Sequence, residues 1–258
     1  MDLGTVVSCR RYPVKSLQGL EVDTLSVGSD VIQGDRQWAL IDTASGQVLS
    51  AKRVALLLMG RADDEMITLP DGTRIRLDDP RAPEQLSEWL ERDVVLTSTS
   101  ELVEGVELSY DMTFDPPDDS AEYYEIPVPA GTFLDLAPVH LVTTATLSGC
   151  AELRPDLDWD VRRFRPNLVL DVPGEVFVED AWSGRHLRIG DDLVLEVAGP
   201  TVRCAMPLRA QPDLERQPEL FHAMGDLHAA FPNHLGAYAN VVNPGRVLVG
   251  DTVGLLDA

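Results

Sequence analysis

Residues 11–19 read RYPVKSLQG, and residues 34–38 read GDRQW. A proline and a glycine bracket the first stretch, so we expect Lys15 and Ser16 to lie on a tight loop. Arg36 stands in the second stretch, at the entrance to a predicted strand. Loop-borne cations beside a hydroxyl suit a phosphate, because Arg donates paired hydrogen bonds and Lys supplies a point charge. The alternative is that both cations are surface charges paired with neighbouring acids.

Outward from these two stretches, the sequence predicts a fold that is mainly β with a few helices. Apolar and polar residues alternate in short runs that Gly and Pro separate, as in β-strands. Helical periodicity is confined to residues 82–91, 144–153 and 212–229. Many short strands with few helices favour a barrel or a sandwich over a doubly wound parallel sheet. The predicted strands are 4–10, 20–27, 37–42, 47–50, 66–69, 73–77, 93–97, 139–143, 167–171, 187–189, 193–198, 237–243 and 247–255.

The middle of the chain differs in composition from both halves. No Lys or Arg occurs between Arg92 and Arg154. Such a composition is typical of a solvated linker, and the alternative is a docking surface for a basic partner. We therefore predict a β-barrel-like domain over 1–98, an acidic connecting segment over 99–130 and a second domain over 131–258. The acids that define the segment are Glu101, Glu104, Glu107, Asp111, Asp115, Asp118, Asp119, Glu122 and Glu125.

Charge and cysteine content restrict the class of protein. The chain has 21 Lys and Arg against 43 Asp and Glu, a net charge of −22. Such a field repels nucleic acid and anionic membranes, so we expect a small-molecule ligand instead. The three cysteines have no CxxC spacing, which argues against a disulfide framework or a zinc ribbon. The N-terminus lacks the apolar core of a signal peptide, and the expected compartment is the cytoplasm.

Two clusters in the second half also carry cations. Residues 162–167 read RRFRPN, and three arginines so close together need a bound anion or carboxylates as compensation. If carboxylates compensate the arginines, the cluster is a structural network with Glu179 and Asp180. The second cluster is Arg203-Cys204, in which the Arg would lower the thiol pKa and favour a nucleophile or a soft-metal ligand. The alternative for Cys204 is an inert, packed thiol.

A pair of hydroxyls stands where a predicted strand passes into a predicted helix. Thr143 and Thr144 suit helix capping, which is the simpler interpretation. The free N–H groups and the dipole at the same helix N-terminus also favour a bound anion. Both interpretations remain open from the residues alone.

Taken in order, these segments resemble the MOSC proteins (molybdenum cofactor sulfurase C-terminal domain) that carry an N-terminal barrel extension. Each motif is weak alone, and ten of them in the family's order carry the resemblance. It implies a MOSC N-terminal β-barrel domain over 1–98 and a β-barrel MOSC domain over 131–258. The matching motifs are YPVKSLQG (12–19), GDRQW (34–38), ALIDTASGQVLSAKR (39–53), VHLVTTATL (139–147), RFRPNLVLD (163–171), FVEDAW (177–182), LRIGD (187–191), PTVRC (200–204), LGAYANVVNPG (235–245) and VLVGDTV (247–253).

The resemblance also implies a ligand, the molybdenum cofactor, which is a pterin dithiolene that carries a phosphate. Relatives include the amidoxime-reducing components, so the implied function is a molybdenum-dependent oxidoreductase that reduces N-hydroxylated or N-oxide-type small molecules. No haem or flavin motif is visible, and electrons would come from a separate protein. The implied cofactor contacts are Lys15, Ser16, Arg36, Thr143, Thr144, Arg165, Asn167, Arg203 and Cys204.

One departure leaves the redox role open. The chain has no cysteine after Cys204, and His234 stands before LGAYANVV, where the resemblance implies a metal-binding thiolate. Cys204 would then be the molybdenum ligand, or His234 or water would complete the metal's shell. Alternatively the redox role is lost, which leaves a sulfur carrier with Cys204 as persulfide acceptor, or a non-redox protein that binds the cofactor or another anion. Cys204 and His234 are the candidate catalytic residues.

Overall fold

The computed structural model describes residues 1–102, 107–113, 122–129 and 131–256. Strands dominate the described residues, which confirms the predicted fold class. The strands are β1 (Asp2–Arg11), β2 (Leu20–Val22), β3 (Thr24–Val27), β4 (Trp38–Asp42), β5 (Arg61–Ala62), β6 (Met66–Thr68), β7 (Arg74–Arg76), β8 (Val94–Ser98), β9 (Ser109–Met112), β10 (Tyr124–Pro127), β11 (Val139–Thr143), β12 (Leu168–Asp171), β13 (His186–Ile189), β14 (Leu193–Val202), β15 (His234–Asn243), β16 (Gly245–Leu248) and β17 (Thr252–Leu255). The α-helices are α1 (Ala82–Leu90), α2 (Thr144–Leu153), α3 (Val161–Phe164) and α4 (Glu219–Leu227).

The largest sheet closes into a barrel. Its strands follow the order β12-β11-β15-β14-β13-β17-β1, and β1 pairs back with β12, while β2 extends from β1. Only the β11–β12 pair in this sheet is parallel. Alternate strand residues point inward and pack there as one apolar core, because closure leaves that face without water. Core members from five strands are Val6, Leu141, Leu170, Leu195 and Val253.

Smaller sheets build a second core from the first half of the chain. Strand β4 pairs with β8, and β5, β6 and β7 form an antiparallel meander. Helix α1 covers this core with Leu86 and Leu90, which lie four residues apart on its buried face. The helix ends where Glu91 adopts a left-handed conformation with φ of 50°. Strands β9 and β10 pair beside it, and Tyr110 of β9 clusters there with Phe133, which follows β10; both side chains are fully buried.

The first strand of the chain belongs to the barrel of the second half. Strand β1 lies between β17 and β12, and β3 pairs with β16. Strands β1 and β3 therefore pair with strands from beyond residue 138, whereas the loop after β1 contributes Val14 and Leu17 to the second core beside β4–β8. The predicted boundaries at 98 and 130 stay a prediction. Of the acids that define the connecting segment, Glu104, Asp115, Asp118 and Asp119 lie outside the described residues.

Some predicted elements have different bounds. The helix predicted over 212–229 is wrong in its first half, because α4 begins only after Pro218, and Asp213 is left-handed with φ of 61°. The strand predicted over 47–50 is reduced to one bridge between Val48 and Ile41. Helix α2 has the predicted bounds. Among the described residues, no helix is long and apolar enough to cross a bilayer.

Candidate functional site

The loop after β1 and the turn before β4 lie side by side. The Arg36 N–H donates to the Tyr12 carbonyl oxygen over 2.7 Å, and the Lys15 N–H donates to the Trp38 oxygen over 2.8 Å. Both segments contain a left-handed residue, Ser16 with φ of 70° and Arg36 with φ of 47°. These turns bring Lys15 and Arg36 into one cluster, as the sequence predicted from their motifs.

Tyr12 connects this cluster to a cation from the second half of the chain. The guanidinium carbons of Arg36 and Arg165 lie 4.8 and 4.2 Å from the centre of its ring. Its hydroxyl donates to the Pro166 carbonyl oxygen over 3.1 Å. Burial raises the pKa of Tyr12, so the phenol is neutral and its ring faces two cations. Arg36 itself pairs with the buried carboxylate of Asp35.

Arg165 and Arg203 are buried guanidiniums, and neither has a carboxylate partner in the described part of the chain. Arg165 follows α3 in a left-handed conformation (φ 55°) and donates to the Leu17 carbonyl oxygen over 2.7 Å. Arg203 follows β14 and donates to the Phe164 oxygen over 2.7 Å. In the described part of the chain no acid lies within 4.0 Å of either side chain, and the Arg203 Nε has no partner. Burial lowers the pKa of both, that of Arg165 to about 10, because a charge without a counterion is costly there.

His140 fixes the position of Arg203. Its Nε2 lies 3.3 Å from an Arg203 guanidinium nitrogen, and its Nδ1 lies 3.4 Å from the Arg165 carbonyl oxygen. An arginine can only donate, so Nε2 accepts and Nδ1 carries the proton. Burial and the Arg203 charge hold the pKa of His140 well below its usual range, which keeps it neutral. Asn167 accepts the His140 backbone N–H over 3.2 Å and thereby holds this strand end in place.

Two lysines share one carboxylate beside the arginines. Lys15 Nζ lies 2.5 Å from Asp135 Oδ1 and 2.8 Å from the Phe133 carbonyl oxygen. Lys52 Nζ lies 3.1 Å from Asp135 Oδ2. The two ammonium groups lie 4.7 and 4.2 Å from the centre of the Tyr110 ring. Burial lowers the pKa of Lys15 to about 8. Partial burial would raise the pKa of Asp135, but the two lysines hold it well below its usual range.

A cleft opens onto these groups. It contains one thiol, that of the half-buried Cys204. Cys9 and Cys150 are fully buried elsewhere, and burial raises the pKa of each to about 12. The polar lining of the cleft consists of Arg36, Asp135, His140, Arg165, Asn167, Arg203 and Tyr238, and its apolar lining includes Leu134, Leu136, Val202 and Met206.

The site is positively charged although the chain is strongly acidic. Five cations surround the cleft or contact Asp135 at its wall, and among the described acids only Asp35 and Asp135 pair with any of them. The remaining positive charge needs an anion, because buried charges are otherwise unstable. The cations are Lys15, Arg36, Lys52, Arg165 and Arg203. The geometry therefore supports an anion-binding cleft with a thiol at its wall.

The two threonines that were predicted to contact the cofactor form hydrogen bonds with carboxylates away from the cleft. Thr143 accepts the Thr146 N–H over 3.1 Å, as a helix cap does, and donates to Glu179 over 2.8 Å. Thr144 donates to Asp171 over 2.7 Å. The capping interpretation thus describes Thr143, and the anion contacts proposed for both threonines stay a prediction.

Two other predicted residues also lie off the cleft wall. The Ser16 hydroxyl accepts the Ala51 N–H over 3.0 Å. His234 begins β15, and its Nδ1 lies 2.8 Å from the Pro232 carbonyl oxygen. Neither side chain lines the cleft. Of the two candidate catalytic residues, Cys204 is the one that the structure places beside the cations.

The arginine run of residues 162–165 divides by role. Arg162 pairs with Asp160, and the fully buried Arg163 donates to the carbonyl oxygens of Pro207 and Glu215 over 3.2 and 3.0 Å. These two form the structural network that was the alternative interpretation. The acids suggested as partners are different, however, because Glu179 accepts from two threonines and Asp180 pairs with His228 over 2.6 Å. Only Arg165 of this run faces the cleft.

Sequence reasoning missed four side chains of the site. Lys52 stands in the quoted motif of residues 39–53, but nothing local connects it to Lys15. Asp135 is a single acid in the apolar stretch FLDLAPV, which was a usable signal because an acid among apolar residues needs a partner. His140 and Tyr238 face each other across β11 and β15, with their rings 5.7 Å apart.

Comparison with known families agrees with this geometry. A model of the MOSC domain matches residues 130–254, and a model of the MOSC N-terminal beta barrel domain matches residues 3–102. The chain belongs to the MOSC family. This family is associated with molybdenum cofactor binding.

Other comparisons are distant. The MOSC chain is 11% identical to the YUAD protein from Bacillus subtilis, with 97% of this chain and 93% of that chain covered and a TM-score of 0.44. It is 16% identical to YiiM from Geobacillus stearothermophilus, with 57% and 73% covered and a TM-score of 0.37. No curated protein gave a significant match.

Proposed function

We propose that this MOSC protein binds the molybdenum cofactor in the cleft and reduces N-hydroxylated or N-oxide-type small molecules. The observation that carries the proposal is the pair of buried guanidiniums, Arg165 and Arg203, that lack a carboxylate among the described residues. A phosphate-bearing ligand fits them, because guanidinium groups bind phosphate oxygens through charge-assisted hydrogen bonds. The Arg203 Nε has no hydrogen-bond partner among the described residues, and it is one donor that such a ligand would satisfy.

The thiol of Cys204 fits the metal end of the same ligand. It is the cysteine at the cleft wall, and it directly follows Arg203. A thiolate is the type of ligand that soft, sulfur-rich metal sites take. We therefore assign the molybdenum ligand to Cys204 rather than to His234. When bound, the cofactor supplies two-electron chemistry at the metal, and a separate electron-transfer protein supplies the electrons.

The remaining residues hold and orient the ligand. Arg165, Arg203 and Arg36 supply fixed positive charge, and neutral His140 keeps Arg203 in position through one hydrogen bond. Because His140 is uncharged, it adds no further cation to the cluster. The apolar residues Leu136 and Met206 at the cleft leave room for the uncharged body of a substrate.

The test begins with protein purified from a host that makes the cofactor. Molybdenum is measured by elemental analysis, and reduction of benzamidoxime is measured with a chemical electron donor. We expect both molybdenum and turnover in the wild type, loss of both in Cys204→Ser, and retention of both in His234→Ala. Turnover without molybdenum, or full activity of Cys204→Ser, would contradict the proposal.

A sulfur carrier is the second candidate, and the position of the half-buried Cys204 thiol at the cleft wall favours it. A persulfide at this thiol would be anionic, and the neighbouring Arg203 would stabilise it. The protein would then carry a mass increase of about one sulfur atom that cyanide removes, and Cys204→Ser would lack it. An unmodified mass after incubation with a cysteine desulfurase and cysteine would exclude this candidate.

A further inference from the structure

The two lysines of the site, Lys15 and Lys52, already have an anionic partner in Asp135. The two buried arginines, Arg165 and Arg203, have none among the described residues. Each Asp135 oxygen takes one ammonium group, Oδ1 that of Lys15 and Oδ2 that of Lys52. No other carboxylate of the described chain lies within 4.0 Å of these lysines. Within the described residues, Arg165 and Arg203 donate instead to carbonyl oxygens and to His140. The lysines and the arginines adjoin because Asp135 lines the same cleft as the arginines.

We propose that Asp135 is an internal competitor, which an incoming anion displaces from Lys15 and Lys52. This rests on the proposed function only in requiring an anionic ligand in the cleft. An anion at the arginines would stand beside the Asp135 carboxylate, and two like charges in a weakly solvated cleft repel each other. Displacement removes that repulsion and transfers both ammonium groups to the ligand. Asp135 therefore lowers the affinity of the empty site for anions.

The segment around Asp135 allows this movement. Phe133 is fully buried against Tyr110 and anchors the segment on one side, and β11 begins at Val139 on the other. Between them, the Asp135 side chain is 35% exposed and Leu136 is 61% exposed. Rotation of the Asp135 side chain thus places its carboxylate in water, where it is solvated, while the Phe133 anchor stays in place.

The competition sets a penalty on binding. If Asp135 must be released before the anion binds, the apparent affinity equals the intrinsic affinity multiplied by the fraction of chains in which Asp135 is already released. Removal of the Asp135 charge removes the penalty and leaves two ammonium groups in need of a counterion. We expect at least about a tenfold gain in anion affinity, the change that corresponds to about 1.4 kcal/mol.

The experiment uses the full chain, purified from a host that cannot make the pterin, with inorganic phosphate as the probe in calorimetry. Asp135→Asn should bind phosphate at least about tenfold more tightly than the wild type. Asp64→Asn is the matched control, because Asp64 pairs with Arg11 outside the cleft, and it should bind like the wild type. Asp135→Ser should behave as Asp135→Asn does, so a folding defect specific to one variant does not decide the result.

A double-mutant cycle separates displacement from simple repulsion. With Lys15 and Lys52 both changed to Met, Asp135 has nothing to compete for, and Asp135→Asn should then change phosphate affinity less than about twofold. If Asp135→Asn still increases phosphate affinity in the protein without the two lysines, displacement is overturned. Equal affinities of the wild type and Asp135→Asn, or no phosphate binding by either protein, would also overturn it. The inference and the proposed function can fail separately. If phosphate affinity changes as the cycle predicts but the protein from its native host contains no molybdenum, the inference about Asp135 stands and the proposed function is refuted.

Discussion

At the scale of single residues, Asp135 makes the stability of the fold depend on pH. Its pKa is held well below the ordinary value by Lys15 and Lys52, although its partial burial acts in the opposite direction. A group with a lowered pKa stabilises the folded state above its unfolded pKa of about 4, and this stabilisation is lost as the pH falls towards the folded pKa. The contribution of these ion pairs to the free energy of unfolding of the wild type should therefore be lost in acid.

Asp135→Asn tests this dependence. At pH 7 we expect the free energy of unfolding of the variant to be about 1–3 kcal/mol lower than that of the wild type. The loss is smaller than for a fully buried ion pair because the Asp135 carboxylate is partly solvated. Urea titrations between pH 7 and pH 3 should show the difference shrinking below about pH 4. A difference that stays constant or widens in acid would mean that Asp135 does not stabilise the fold through its charge.

At the scale of elements, the approach of β15 to β11 needs Gly236. Its φ is 76°, and a Cβ there would lie 2.6 Å from the Leu141 carbonyl oxygen and 2.8 Å from His140 Nε2. Gly46 has nearly the same φ, 73°, but nothing lies within 4 Å of its Cβ position. The two glycines thus share backbone strain and differ in crowding.

This pair of glycines gives a matched comparison. Gly236→Ala should destabilise the protein by about 1–3 kcal/mol more than Gly46→Ala, because only the first adds a clash to the left-handed strain. The free energy of unfolding of both variants in urea measures the difference. Equal losses would show that the strand approach tolerates a Cβ, and that His140 is not held as closely as the structure indicates.

Sequence patterns predicted the elements with strong local signals and missed those that depend on distant contacts. Alternation located β1, β11 and β14, and helical spacing located α2 with its bounds. The segment before Pro218 also has helical spacing, but the Pro and the left-handed Asp213 stop it. The Lys15, Arg36, Arg165, Arg203 and Cys204 assignments came from motifs, and the structure brings these residues together.

The rest of the site could not be predicted because its partners are far apart in sequence. Lys52 and Asp135 are separated by 83 residues, and Lys15 and Asp135 by 120. No periodicity encodes such a pairing, which depends on loops that only the folded chain brings together. The threonine hydroxyls were named from a local motif, which could not show that Glu179 and Asp171 accept their hydrogen bonds in the structure.

At the scale of the whole molecule, β1 closes a barrel otherwise built from strands beyond residue 138. Residues 131–258 alone should therefore not fold cooperatively, because β17 and β12 would both keep open edges. The same fragment preceded by residues 1–28 through a flexible linker should regain a cooperative thermal transition. Circular dichroism measures both, and a cooperative transition in the shorter fragment would show that β1 is dispensable.

The whole molecule also places two buried cations that lack a carboxylate partner among the described residues at one cleft. With a net charge of −22, it keeps Arg165 and Arg203 buried at a cleft without a carboxylate of their own among the described residues. Such an arrangement destabilises the empty protein and is useful only if an anion occupies the cleft. The central claim is that this anion belongs to the molybdenum cofactor.

The most direct test is the pterin content of the protein purified from a cofactor-producing host, measured as the fluorescent oxidation product. Arg162→Met is the control for Arg203→Met, because Arg162 pairs with Asp160 away from the cleft. The account predicts bound pterin in the wild type and in Arg162→Met, and at least about a tenfold loss in Arg203→Met, as expected when a charge-assisted bond is removed. Wild-type protein without pterin, or equal pterin in all three proteins, would contradict it.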